Sequence, residues 1–250
     1  CKLTATARPK GKITNWKNGL TFSFKIYVPG HVATKLKTSG GNIELTGISG
    51  DQDFKTSGGN LDLESVSGKA YGKTSGGNIY LKNCSDYLDL KTSGGNIDAE
   101  NSSGHIQVAT SGGSIELKNL KGNIEAATSG GNIDGESIEG ALNAGTSGGN
   151  VSLQGLNCSL KASTSGGNID VSVKSLGEYL SINNSSGKVR LAIPKNAAMS
   201  LNLNADKITV PAIANFSGTM TNEKINGTIN GGGTPVTVDA GSGKIYLMFD

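Results

Sequence analysis

The chain has 250 residues, with 38 glycines, only 5 prolines, 5% aromatics and a formal net charge of +3. Glycine is not at every third position, which excludes collagen, and regularly spaced apolar residues with so mild a charge exclude a disordered chain. Its two arginines, Arg8 and Arg190, are too few for a phosphate-reading surface, so no nucleic-acid partner is expected, and no apolar run is long enough for a spanning helix.

In chain order, the first feature is Cys1. A start at Cys leaves two readings open. One is a mature bacterial lipoprotein, with Cys1 as the lipid attachment and the sole expected contact with a membrane. The other is an arbitrary boundary. Residues 21–28 then alternate, with Phe22, Phe24, Ile26 and Val28 on one face, which predicts a strand. Residues 1–37 are expected to cap the first coil of a stack, whose open edges would otherwise recruit other chains, with Trp16 plugging the end of the core.

From Thr38 the chain becomes periodic. Thr38, Ser39, Gly40, Gly41, Asn42 and Ile43 return almost unchanged from Thr56, Thr74, Thr92, Thr110, Thr128, Thr146 and Thr164, always 18 residues on. A short fixed period means stacked units that bury apolar residues only against their neighbours. With the Thr as position 0, positions 5 and 7 (Ile79 and Leu81, for example) are apolar and share a strand face. Positions 14 and 16 (Leu88 and Leu90) repeat the pair more loosely. Each 18-residue coil therefore divides into two nine-residue halves, each a short strand and a turn. The predicted fold is all-β, a parallel β-solenoid (β-helix) capped at both ends. The expected divisions of this single domain, 1–250, are a cap over 1–37, regular repeats over 38–181, and irregular rungs with a closing cap over 182–250.

The Gly-Gly pair is expected to turn the chain through positive φ, the Asn that follows to form a ladder of side chains, and the second corner, where Asp86 and Cys158 replace Gly, to be less demanding. Position 8 alternates in charge through Glu64, Lys82, Glu100, Lys118 and Glu136, as in-register stacking favours. Cys84 and Cys158 fall four rungs apart, ~19 Å, beyond disulfide reach. Beyond Ser181 the pattern weakens. Ser185 to Val189 is a copy displaced by two residues, and the copy at Ala240 to Ile245 is expected to be the last rung.

Several residues carry a resemblance. Val28-Pro29-Gly30 leading into Lys37-Thr38-Ser39-Gly40-Gly41-Asn42-Ile43, and the ending Gly231-Gly232-Gly233 to Asp239-Ala240-Gly241-Ser242-Gly243-Lys244-Ile245, resemble a bacterial adhesin domain family. That family is related to autotransporter-adhesin-like head domains and frequent in Bacteroides-type bacteria. The resemblance covers about residues 28–250. It implies a right-handed coil, in line with the general bias of parallel crossovers. It also implies export to the bacterial cell envelope or outer surface, often with a lipid anchor, and a class of function rather than a mechanism.

No pattern for catalysis emerges. Gly-Gly-Asn-Ile-Asp departs from the calcium-binding β-roll motif, and positions 5, 11 and 17 do not keep the aliphatic residue that a left-handed hexapeptide helix needs. The acidic position 6 (Glu44, Asp62, Asp98, Glu116, Asp134 and Asp170) is regular along the stack, which suits a solvated face better than a catalytic pair. His31 and His105 have no partner at a recognisable spacing. No catalytic residue, cofactor or metal is expected. The candidate ligand surface is Lys37, Lys55, Lys73 and Lys91, a column that an anionic chain would relieve of repulsion, with Tyr71 and Tyr87, which share a face and could stack on a sugar ring. The expectation is a non-enzymatic envelope adhesin or surface scaffold whose partners are surface glycans or envelope and host proteins. The alternative is a carbohydrate-binding or polysaccharide-degrading β-helix protein. Oligomeric state stays open.

Overall fold

The computed structural model describes residues 23–249. Cys1, Trp16 and Phe22 lie outside them. Every regular element among the described residues is a strand, and the strands stack as a parallel β-solenoid with two faces. On the first face Ile43–Thr46 pairs with Leu61–Glu64, then Ile79–Lys82 and Ile97–Glu100, each residue opposite the one 18 positions on. On the second face Thr34–Lys37, Gln52–Lys55, Lys69–Lys73 and Tyr87–Lys91 do the same. Ile79, Ile97 and Ile115 thus lie on one another as expected. From Ile115 onward the two half-coil strands merge into one bent strand per coil, as in Ile115–Ala127.

The core follows the four predicted columns. Positions 5, 7, 14 and 16 are buried along the stack, and volume is shared between rungs: Phe54 fills the space over Gly72, where a Cβ would lie 2.3 Å from its ring. Gln52, the polar exception, is buried with its amide donating to the Val32 carbonyl (2.7 Å). Two further columns point inward. Position 10 supplies Ile48, Val66, Cys84, Leu120, Ile138 and Leu156 at the second corner, and from Thr56 onward the repeat's Thr is itself buried.

That Thr explains the hexapeptide. From Thr56 to Thr164 its hydroxyl accepts a bond from the N–H three residues on and donates to a carbonyl of the coil before. Thr92 Oγ1 accepts from Gly95 N–H (3.3 Å) and donates to the Gly77 carbonyl (2.8 Å). The next residue completes the corner: Asn96 N–H donates to Asn78 Oδ1 at 2.9 Å. The expected Asn ladder therefore runs from side chain to backbone, one rung at a time. The Gly-Gly pairs do not adopt positive φ, contrary to expectation. Their second member is needed for close approach, since a Cβ on Gly95 would sit 2.0 Å from the Gly77 carbonyl oxygen, whereas one on Gly94 would meet only Ser75 O at 3.6 Å.

Positive φ belongs to the second corner, which is more demanding than its substitutions suggest. Gly68, Gly104, Gly122 and Gly140 are all left-handed there, and Asp86 adopts φ 77° in the same place. Asp tolerates this conformation, and its Oδ2 accepts from Gly68 N–H (2.9 Å). Cys158 lies within the continuous strand Val151–Thr164. Cys84 and Cys158 are free and buried.

Both ends depart from expectation. Residues 23–28 form no strand, and Phe24, Ile26 and Tyr27 are exposed, Tyr27 to 84%. At the other end, a two-residue shift enters where Asn157 faces Ser175 but Leu160 faces Leu180, which displaces the next copy. The last strands in sequence, Thr234–Asp239 and Lys244–Phe249, are not the last in space. They pair with Leu180 to Asn183 and with Lys188–Ile193 on one side, and with Met199–Asn204 and Lys207–Thr209 on the other. The second face closes through Lys224–Ile229 and Phe216–Met220, which pair antiparallel and interrupt the parallel edge.

Gly95→Ala is expected to cost about 3 kcal/mol or more, because the clash is with backbone that the stack holds fixed, while Gly94→Ala stays within about 1 kcal/mol. Chemical denaturation of the two variants checks this; equal losses would contradict it.

Candidate functional site

The candidate residues gather on the second face near its N-terminal end. Lys37, Lys55, Lys73 and Lys91 stand in one row, each opposite the next in the parallel register, and the row ends at Ala109. Only Lys91 of the four has an acid within ion-pair distance among the described residues: its Nζ lies 3.0 and 3.1 Å from the two carboxylate oxygens of Asp89. Like charges one strand spacing apart, ~4.8 Å, leave the other three facing solvent and one another.

Tyr71 and Tyr87, expected to share a face, come together from neighbouring columns, with ring centroids 5.6 Å apart and planes tilted by 46°. His105, expected to stand alone, joins them: its ring stacks on Tyr87 at 5.0 Å and 20°. The sequence held that signal, since His105 is 18 residues beyond Tyr87. Asn123, the next in the column, lies with Nδ2 3.2 Å from His105 Nδ1. Tyr71 is 45% exposed, and beside it a shallow hollow of about 490 Å³ is lined by Lys35, Asp51, Asp53 and Lys69. Lys35 and Asp53 pair at 3.3 Å. Tyr80 belongs to the opposite face, where its hydroxyl accepts from Asn78 Nδ2 (3.0 Å).

That opposite face is acidic. Asp98, Glu116 and Asp134 stand in line across adjacent strands, as do Glu44 and Asp62. Partial burial raises the carboxyl pKa of Asp62, Asp98 and Asp134 from the ordinary aspartate value, and the neighbouring Glu44 or Glu116 adds to the effect. Asp170 is instead paired with Arg190 at 2.9 Å. In the alternating column at position 8 the register holds, and Lys118 and Glu136 approach to 3.9 Å. Among the described residues no group of three or more His, Cys, Asp or Glu side chains is placed to hold a metal ion.

A family model described as Toastrack DUF4097 matches residues 79–248, more than half of the chain. The chain belongs to the Toastrack family. Its function is not known, so membership brings a domain and no activity. No curated protein and no solved structure matches. The matched Toastrack span contains Tyr87, Lys91 and His105, whereas Lys37, Lys55, Tyr71 and Lys73 precede it.

The acidic row has a stability consequence. A carboxyl whose folded pKa lies above its unfolded value binds more protons folded than unfolded in between, so stability falls as pH rises through the folded pKa. Asp98→Asn should therefore raise the thermal midpoint at pH 7, and the gain should vanish by about pH 3, where Asp98 is protonated in both states. A midpoint lowered at pH 7 would contradict this.

Proposed function

We propose that this Toastrack chain is a non-enzymatic protein of the bacterial cell envelope, an adhesin or surface scaffold that presents repeated outward columns for multivalent binding. The observation that supports it is the registered row of Lys37, Lys55, Lys73 and Lys91 beside Tyr71 and Tyr87 on one regular face. Identical groups at each rung make many weak contacts with a repeating partner, and their joint avidity exceeds that of any one contact. Catalysis, by contrast, needs an irregular local cluster in a cleft. The acidic groups here form rows that recur with the coil.

The carbohydrate-binding alternative is favoured over a polysaccharide-degrading one by the tilted Tyr71–Tyr87 pair, which offers ring faces rather than an acid and a base.

Beads coated with the full chain should adhere to glycan-bearing cell surfaces at physiological salt, release at about 1 M salt, where screening is near 3 Å, and lose adherence in Lys55→Ser/Lys73→Ser. Adherence no better than that of albumin-coated beads would contradict the proposal. So would release of reducing ends from acidic polysaccharides that Asp98→Asn abolishes.

A further inference from the structure

The two faces of the coil differ in more than charge. The first face carries acids in line and little aromatic surface beyond Tyr80. The second carries, over successive rungs, a continuous aromatic ridge of Tyr71, Tyr87 and His105, flanked by a lysine row. In the parallel register Lys69, Tyr87, His105 and Asn123 occupy one column, Tyr71 the column beside it, and Lys55, Lys73 and Lys91 the column beyond that. Columns two residues apart along a strand are separated by roughly 7 Å, within reach of an extended lysine side chain.

We infer that this face binds an acidic polysaccharide, one carrying a carboxylate on each sugar, laid along the stack axis with its rings on Tyr71, Tyr87 and His105 and its carboxylates towards Lys55 and Lys73. The inference rests on the surface-binding role proposed above and names its ligand class.

Three observations carry it. The rung spacing, ~4.8 Å, is close to the length of one sugar in an extended chain, so successive sugars meet Tyr71, Tyr87 and His105 in turn, with Lys73 and Lys91 on the rungs of the two tyrosines and Lys55 on the rung before. The rings of Tyr71 and Tyr87 are tilted by 46°, so their faces are not sealed against each other, and Tyr71 is 45% exposed. Lys55 and Lys73 have no acid within ion-pair distance among the described residues, so a carboxylate gained from a ligand displaces no existing partner. The hollow beside Tyr71 adds Lys69 at the N-terminal end of the ridge, while its Lys35 is already paired with Asp53. A simple polyanion would satisfy the lysines and leave the ridge unused.

Isothermal titration of the full chain with polygalacturonate, dextran and polyglutamate tests this. Polygalacturonate is expected to bind about tenfold or more tightly than either of the others, since dextran lacks the charge and polyglutamate the rings. Tyr71→Ala/Tyr87→Ala should weaken polygalacturonate binding about tenfold, as loss of ring stacking does elsewhere, with the far-UV circular dichroism of the folded chain unchanged. Lys55→Ser/Lys73→Ser should make its salt dependence shallower. Polyglutamate binding as tightly as polygalacturonate, a tyrosine variant that binds like the parent, or no binding to polygalacturonate would each overturn the inference. Bead adherence separates the two readings: wild-type beads that adhere while polygalacturonate fails to bind retire the ligand class alone, and loss of both retires the surface-binding role as well.

Discussion

The structure depends on how closely one coil's backbone passes over the next at the Thr corner. The second Gly of each pair sits against the carbonyl of its counterpart one coil below, with no room for a Cβ. The buried Thr hydroxyl bonds to both coils, and the Asn side-chain oxygen accepts from the backbone N–H of the Asn one coil on. A buried hydroxyl without partners would be costly, whereas one that joins two coils satisfies groups in both. Each corner is therefore complete only when its neighbour is in register. Insertions there are excluded by hydrogen bonding as well as by packing, which is why eight copies keep one length.

Registration at the corner has an outward consequence. Once Ile79 lies over Leu61, every outward side chain also lies over its counterpart, and chance differences between columns become stripes that run along the molecule. An acidic stripe forms on one face and a lysine row with an aromatic ridge on the other. Neither requires a loop or a cleft. A binding surface made in this way is long, shallow and repetitive, and it matches polymers better than small molecules. The raised carboxyl pKa values on the acidic face come first from partial burial of the carboxyls, and the neighbouring Glu116 that registration holds beside Asp98 and Asp134 adds to it.

The period, the strand columns and the two-faced coil were legible in the sequence because one constant offset maps each residue onto its neighbour. The strand columns also set Tyr71 and Tyr87 on one face, and the offset of 18 that carries Tyr87 onto His105 could have added the histidine. The role of Gly95 was not legible. A glycine needed for positive φ and one needed for close backbone approach look alike in sequence, and Asp86 was misread because it meets a left-handed corner with a side chain. The end of the stack was hidden for another reason. Beyond Ser181 pairing partners are no longer one period apart: Val189 meets Ile245, and Leu201 meets both Val236 and Gly227. Local pattern cannot reveal that the last strands lie inside the pile. Nor did the alternation of residues 21–28 guarantee a strand, because alternation needs an edge to pair with, and Phe24 and Ile26 are exposed.

Native-state hydrogen exchange at the Thr corners tests the central claim most directly. The amides of Gly94, Gly95 and Asn96 lie in a surface turn, yet they donate to Ser75 O, Thr92 Oγ1 and Asn78 Oδ1. If the corners hold the coils together, these amides should exchange as slowly as that of Ile97 in the adjoining strand, since all would open only with the stack. Exchange at the rate of ordinary exposed turns, with Ile97 still protected, would contradict the account.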